Sequence, residues 1–405
     1  MAQQAFGFRA GYPTSTGFPI VVLSLTNSVV TIMCNGRKTV INSGDFTQVG
    51  ADHPTLDRLG YVASATISGL DAFTRYSYTV SQDGTTYTGS AMTAPSGRGK
   101  DFSLYFTTCD TNAFATEENP GGYAHMLADL DAGVNVLGII HADDHYGYIS
   151  TLELDDSSGT GHQSTGSPDV TSLEYDYAMP YFAAFGLFVN ETGGTFDAWG
   201  QNETRIRAMR NFNVIPQWGD WDAGANEMGW DIDPTDATGS PSPNDHFTNA
   251  KAVWDLVMGP LQPPTAASLA TANHWAGTLG AVTIVAPDGI TLGTGDATSN
   301  YTVDGFGPTA LFTDNQIDDC LTALNTDAPF KLLCMANGIK YLKSGTKFFS
   351  GSQNPVKNGR PAENERLFTE TGNSPQSIMV NDKKNGHNGT LVTLHGDYHV
   401  NKVQF

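Results

Sequence analysis

The chain has 405 residues, 39% of them hydrophobic, with 44 Gly and 20 Pro, a composition of short strands and turn-rich loops long enough for two or three domains. Its 42 acidic side chains against 21 basic ones leave a net charge of −21, which repels a phosphate backbone and excludes bulk nucleic-acid binding. No window reaches the roughly 18 apolar residues of a membrane span.

In chain order, residues 1–20 carry no basic stretch followed by an apolar run, so no secretory leader is expected there. From 18 to 93 the chain runs as short alternating segments: FPIVVLSL, SVVTIMCN, KTVIN, YVASATISGL and RYSYTVSQDGTTYTGSAMT. Turns at intervals of about 8–12 residues predict a small β-sandwich over 1–95, with Asp83-Gly84 turning its last hairpin. The phrase ISGLDAFTRYSYTV, with Leu70 and the Tyr76/Tyr78 pair ahead of that hairpin, resembles a fibronectin type III domain; another kind of sandwich is the alternative.

APSGRGK, residues 94–100, predicts a linker, and a second, α/β domain is expected over 101–405. It opens as strand, helix, strand in DFSLYFTTCD, GGYAHMLADLDAG and NVLGIIHADD, and the apolar run from Val134 to Ile140 suits a buried parallel strand. Helical spacing follows at 246–259 and 313–325, with Thr248 and Thr313 as N-caps, and strands at VTIVAPDG, FKLLCMANG and TLVTLHGD. Polar loops at 155–172, 231–246 and 343–390 are of the length that is usually functional or mobile. Four cysteines (Cys34, Cys109, Cys320, Cys334) are too few and scattered for a disulfide framework, so free thiols are expected.

Four strand ends carry polar clusters: Cys109/Asp110 after FTT; Asp143, Asp144 and Tyr146 after IIHA; Asp220, Asp222 and Asn226 after IPQWG; and His395, Asp397 and His399 in TLHGDYH. Ligands bind outside the carboxyl ends of strands in α/β sheets, so these clusters are expected to converge. Each has a plainer reading alone: an inert buried thiol, an Asp-rich turn, a solvated terminal histidine. Their order is what turns the reading towards a site.

In that order they resemble the PhoD-like phosphatases of the calcineurin-like metallophosphoesterase superfamily, in which a small β-sandwich precedes a catalytic α/β domain of packed mixed sheets flanked by helices. TTCD matches the strand end bearing a metal-ligand cysteine, Cys109; ADDHY matches the stretch with a bridging aspartate and a tyrosinate, Asp143 and Tyr146. GDWD keeps the aspartates Asp220 and Asp222, GDYH keeps Asp397 and His399, and the helix GPTALFTDNQIDDCL has its counterpart in the family. The resemblance implies an Fe(III) held by thiolate and phenolate with Ca2+ on nearby carboxylates, His399 with Asp397 as the last ligands of the site, and catalytic parts for Asp143, Asp220 and His399. Anionic soft and phenolic donors suit trivalent iron, and carboxylates suit calcium. A tyrosine, with a pKa of about 10, becomes a ligand where a highly charged ion displaces its proton.

The departures fall on groups that would handle substrate. The family's histidine between two aspartates is Trp221, its Gly before Asp is Ala142, its acidic residue after the second tyrosine is Gly147, and its Asp-Thr-Arg strand end reads APDGI. A proton donor and a phosphate clamp are thereby lost. Lys343, Lys347, Lys357, Arg360, Arg366, Lys383 and Lys384 replace the clamp from a loop, or else form a solvated basic segment; only Arg205, Arg207, Arg210 and Lys251 are basic between 101 and 330. Two functions are then open: hydrolysis of phosphomonoesters or phosphodiesters at a multinuclear metal site, or an eroded phosphatase fold serving as a structural or binding component of an extracellular or virion assembly. The expected partner is a phosphoester substrate, with a homo-oligomer or assembly partner open. The expected location is extracellular or periplasmic, or a virion surface.

Overall fold

The structure, a computed structural model, describes residues 4–51, 59–108, 122–142, 173–187, 203–219, 222, 243–264, 274–288, 322–324, 326–335, 342–343, 346–347, 390–395 and 403–404. It is a mixed α/β fold with several sheets and few helices. The chain divides into two compact units, Met1–Pro216 with Thr248–Gln262, and Gln217–Phe247 with Pro263–Phe405.

The first unit begins with eight strands: β1 (Phe6–Ala10), β2 (Gly17–Ser24), β3 (Val30–Cys34), β4 (Arg37–Ile41), β5 (Thr47–Val49), β6 (Gly60–Ser68), β7 (Arg75–Gln82) and β8 (Thr85–Met92). Alternating side chains set two layers face to face, β5-β6-β2-β1 and β4-β3-β7-β8. Phe6, Phe8, Phe18, Ile20 and Val22 from one layer meet Val30, Ile32, Tyr78 and Val80 from the other in a single core. Each such side chain, fully buried, contributes about 1.5–3 kcal/mol. The Asn35-Gly36 and Asp83-Gly84 turns hold positive φ at both residues (49° and 72°; 49° and 79°), the left-handed pair that a two-residue hairpin needs.

This sandwich does not stop at β1. At Ala10↔Asn213 β1 pairs in parallel with β11 (Asn213–Gln217), which neighbours β10 (Val136–Ala142); β9 (Ser103–Thr108) runs parallel to β10. The result is a seven-stranded sheet ordered β5-β6-β2-β1-β11-β10-β9. Helices α1 (Gly122–Asp131) and α3 (Glu203–Asn211) supply Tyr123, Met126, Ala208 and Met209 to a core with Val136, Ile139 and Val214. Two further helices are α2 (Leu173–Ala184) and α4 (Pro243–Val257).

Arginines tie these parts together. Arg75 Nη1 donates to Asn211 O (3.0 Å), Ser90 Oγ donates to the same oxygen (2.9 Å), and Tyr78 OH donates to Arg210 O (3.3 Å), so the sandwich caps the carbonyl end of α3. Arg9 and Arg205 both donate to Ala184 O, at 2.7 and 3.2 Å, where α2 ends. A cation at a helix C-terminus complements the dipole. Gly186 (φ 93°) lets the chain turn there, with Leu187 N–H donating to Phe182 O. The Arg210 guanidinium lies 5.1 Å from the centre of the Phe8 ring and 4.7 Å from that of Tyr87.

In the second unit β12 (Trp275–Leu279), β13 (Val282–Ala286), β14 (Phe330–Met335), β17 (Thr390–His395) and β18 (Val403–Gln404) form one sheet in the order β12-β13-β14-β17-β18. β13, β14 and β17 are parallel, and both edges are antiparallel. A short hairpin pairs β15 (Leu342–Lys343) with β16 (Thr346–Lys347) at the start of the expected 343–390 loop.

The elements depart from expectation where polar or special residues hide the pattern. β1 and α3 bury Arg9, Arg205 and Arg210, which breaks the apolar rhythm by which they would be recognised, and α2 contains Pro180. Helix α4 starts at Pro243, a residue suited to a first turn, so Thr248 lies exposed in the second turn and is no N-cap. Of the helix expected at 313–325, residues 322–324 are helical; Thr313 and the 155–172 loop lie outside the described residues. Cys34 and Cys334 are buried free thiols, while Cys109 and Cys320 lie outside the described residues. Among the described residues no helix is long and apolar enough to cross a membrane.

Candidate functional site

Parallel strands deliver their carboxyl ends to one edge of a sheet, and the register decides which ends are side by side. In the first unit Thr108 pairs with Ala142, the residues that immediately precede Cys109 and Asp143 in the sequence. One step earlier His141 pairs with Thr107. His141 is wholly buried, and Thr107 Oγ1 is buried without a hydrogen-bond partner among the described residues.

In the second unit β14 and β17 end together at Met335↔His395, and the sequence runs on from His395 to Asp397 and His399. β13 ends at Ala286, followed by Pro287 and Asp288, whose carboxylate is wholly buried. The antiparallel partner of Ala286 is Trp275, so His274, 7% exposed, stands at the register position beside Pro287. Asp222 is 1% exposed, and its Oδ2 accepts the Gly219 N–H at 3.1 Å, closing a tight turn. Trp218 is wholly buried and meets the Phe247 ring edge-on, centres 6.3 Å apart. Gln217, the last residue of β11, donates from Nε2 to Cys334 O (2.8 Å) and Pro287 O (3.2 Å), linking that turn to the ends of β13 and β14.

Of the residues expected to form the site, Asp222 lies among the described residues, five positions past the end of β11. Cys109, Asp143, Tyr146, Asp220, Asp397 and His399 lie outside the described residues, as do Trp221 and Gly147. Ala142 is the buried last residue of β10. For calcium, Asp222 offers the hard, anionic oxygen that the ion takes, and Gln217 Oε1 is a neutral oxygen in the same unit. Among the described residues no three His, Cys, Asp or Glu side chains come together as a metal-holding group.

His141, Gln217, His274 and Asp288 were not singled out from the sequence. Asp288 comes directly after an apolar run, the same signal that marked Asp143. His274 precedes a strand that the pattern did not reveal, and Gln217 reads as a polar interruption; pairing across the sheet is what gives both their place.

No protein-family model matches the sequence, and no curated protein matches it. Among solved structures the chain is similar to the structure of PhoD, at a TM-score of 0.58 and 15% identity, over 97% of this chain and 71% of that one. At that identity the likeness speaks for the fold, and the fold is PhoD-like. A superposition on a carbohydrate acetylesterase from Xanthomonas citri, at 11% identity over 65% of this chain and 77% of that one, has a TM-score of 0.18 and carries no argument.

Proposed function

We propose that the protein is a metal-dependent phosphoesterase of the calcineurin-like superfamily, hydrolysing phosphomonoesters or phosphodiesters. The supporting observation is a PhoD-like fold over 97% of the chain combined with the order of Cys109, Asp143, Tyr146, Asp220, Asp222, Asp397 and His399, each placed after a strand. In this reading Cys109 and Tyr146 would hold Fe(III), and Asp143, Asp220, Asp222, Asp397 and His399 would complete the ligand set for it and Ca2+. When bound, such ions supply Lewis acidity to the phosphoryl oxygens and acidify water. Asp143 and Asp220 would fix the ions against which the phosphoester is set, and His399 would hold the proton that the leaving oxygen needs. The N-terminal sandwich is in this proposal of the fibronectin type III kind, supported by the Asp71 N–H bond to Tyr76 OH (2.9 Å), which has the form of that fold's tyrosine corner. We assign the protein to the cell exterior or periplasm.

Turnover of an aryl phosphodiester by protein loaded with iron and calcium tests the function. Activity that requires both metals, with a visible absorption band lost in Tyr146→Phe, is the expected result. A metal-loaded but inactive protein would sink it.

The absence of a histidine at Trp221 and of an Asp-Thr-Arg arginine favours a second reading, an inactive phosphatase fold in an extracellular or virion assembly. Trp221→His separates the two. Turnover that rises above the wild type's supports the enzyme, and inactivity of both proteins with metals bound supports the structural part.

A further inference from the structure

We propose that Gln217 is a positioning residue of the candidate site, holding the carboxyl ends of β13 and β14 to the turn that carries Asp222; for what the site does, this rests on the phosphoesterase reading. Gln217 is wholly buried. Its Nε2 donates to Cys334 O at 2.8 Å, in β14, and to Pro287 O at 3.2 Å, one residue past the end of the neighbouring parallel strand β13. Both lie beyond Val285↔Leu333, the last register pair of β13 and β14. The amide bridges the strands where their own ladder has ended.

Two carbonyl acceptors allow one orientation of the amide, since only the nitrogen can donate. Oε1 is thereby directed elsewhere, and it is buried without a hydrogen-bond partner among the described residues. Leaving a buried acceptor unpaired is unfavourable; a methionine would fill the same volume without that cost, but would take the donor away from the Cys334 and Pro287 carbonyls. The glutamine therefore has a use beyond packing, and the three segments joined at its Nε2 supply one. Gln217 leads in two residues to Gly219, whose N–H is received by Asp222 Oδ2 at 3.1 Å. Pro287 leads in one residue to the buried Asp288. Cys334 precedes Met335, the partner of His395. A single carboxamide sets the spacing of segments bearing two buried carboxylates, the task that groups behind a metal ligand commonly perform.

The test uses the full-length protein and Gln217→Met. Calcium affinity, read by competition with terbium luminescence, is expected to fall about 10- to 100-fold, the usual effect of removing a group that orients a ligand. Amide hydrogen exchange at Gly219 is expected to accelerate in the calcium-free protein, while Leu332 and Leu333 in the β13–β14 ladder keep their protection. A purely structural glutamine would lower the melting temperature and leave both the affinity and the Gly219 protection of the folded protein unchanged; that result overturns the proposal. Should Gln217→Met not fold, 15N-glutamine labelling of the wild type decides. The Gln217 side-chain amide resonances shift with added calcium if the proposal holds, and stand still while Gly219 shifts if it does not. A wild type that binds no calcium and turns over no phosphoester, but whose methionine variant loses Gly219 protection, removes the phosphoesterase reading and leaves Gln217 as the residue that positions the turn.

Discussion

At the scale of single residues, polar groups are placed by partners that lie far off in the chain. Tyr76 OH accepts the Asp71 N–H at 2.9 Å and closes the corner before β7. Tyr76→Phe removes that acceptor, and a partly buried hydrogen bond is worth about 0.5–1.5 kcal/mol. Urea unfolding should register a loss of that size with an unchanged m-value. Tyr105 makes a different, pH-dependent contribution. Burial, then a short hydrogen bond to Asp129 and that carboxylate's charge, push its pKa up to about 12, above the value of about 10 in an unfolded chain. The folded state thus favours the neutral phenol, so its contribution is complete below about pH 10 and is lost as pH rises through 12. A phenolate absorbance titration should show a late-ionising tyrosine that is missing in Tyr105→Phe. An ordinary pKa at that position would refute the assignment.

At the scale of elements, the junction of β1, β8 and β11 depends on one side chain. Asn213, wholly buried, receives the Met92 N–H on Oδ1 (2.8 Å) and donates from Nδ2 to Gly11 O (2.9 Å). Asn213→Ala leaves both backbone groups buried and unpaired, at about 1–3 kcal/mol each. The expected loss of stability is about 2–6 kcal/mol by urea unfolding. Strand contact is equally exacting at Gly138, where a Cβ would stand 2.7 Å from Asn213 O. Any side chain there pushes β10 from β11, and with it the strand end that leads to Asp143.

At the scale of the molecule, the division into a sandwich over 1–95 and a catalytic domain over 101–405 is our proposal for how the chain is built. The contacts of the first unit predict that the sandwich leans on α2, α3 and β10. Arg9 loses Ala184 O and the Phe185 ring, 4.2 Å away, when the chain is cut after residue 98. Arg75 loses Asn211 O and Val136 O, and Phe8 and Tyr87 lose the Arg210 guanidinium. A 1–98 fragment should therefore melt well below the whole protein or aggregate, whereas a freely stable fragment would show that these contacts only decorate a self-sufficient sandwich. Calorimetry of the fragment beside the full chain decides.

Much of this was legible in one dimension, since period-two alternation from Phe18 to Met92 is the pattern of a half-buried strand whatever its neighbours are. The apolar run from Val134 to Ile140 and the polar residues after each apolar run likewise point to the ends of β9, β10 and β17. What the tertiary structure decided was the place of groups that can be buried only with a partner. Arg9, Arg205 and Arg210 read as surface residues until Ala184 O and the rings of Phe8, Tyr87 and Phe185 are set against them. Gln217 reads as a break in a strand until Cys334 O arrives from 117 residues away. His274 and Asp288 stand at one sheet end because β12 and β13 pair at Trp275↔Ala286. Apolar burial is repaid by any apolar surroundings and so shows in local pattern, whereas a buried cation or amide needs a particular acceptor, which only the folded chain supplies.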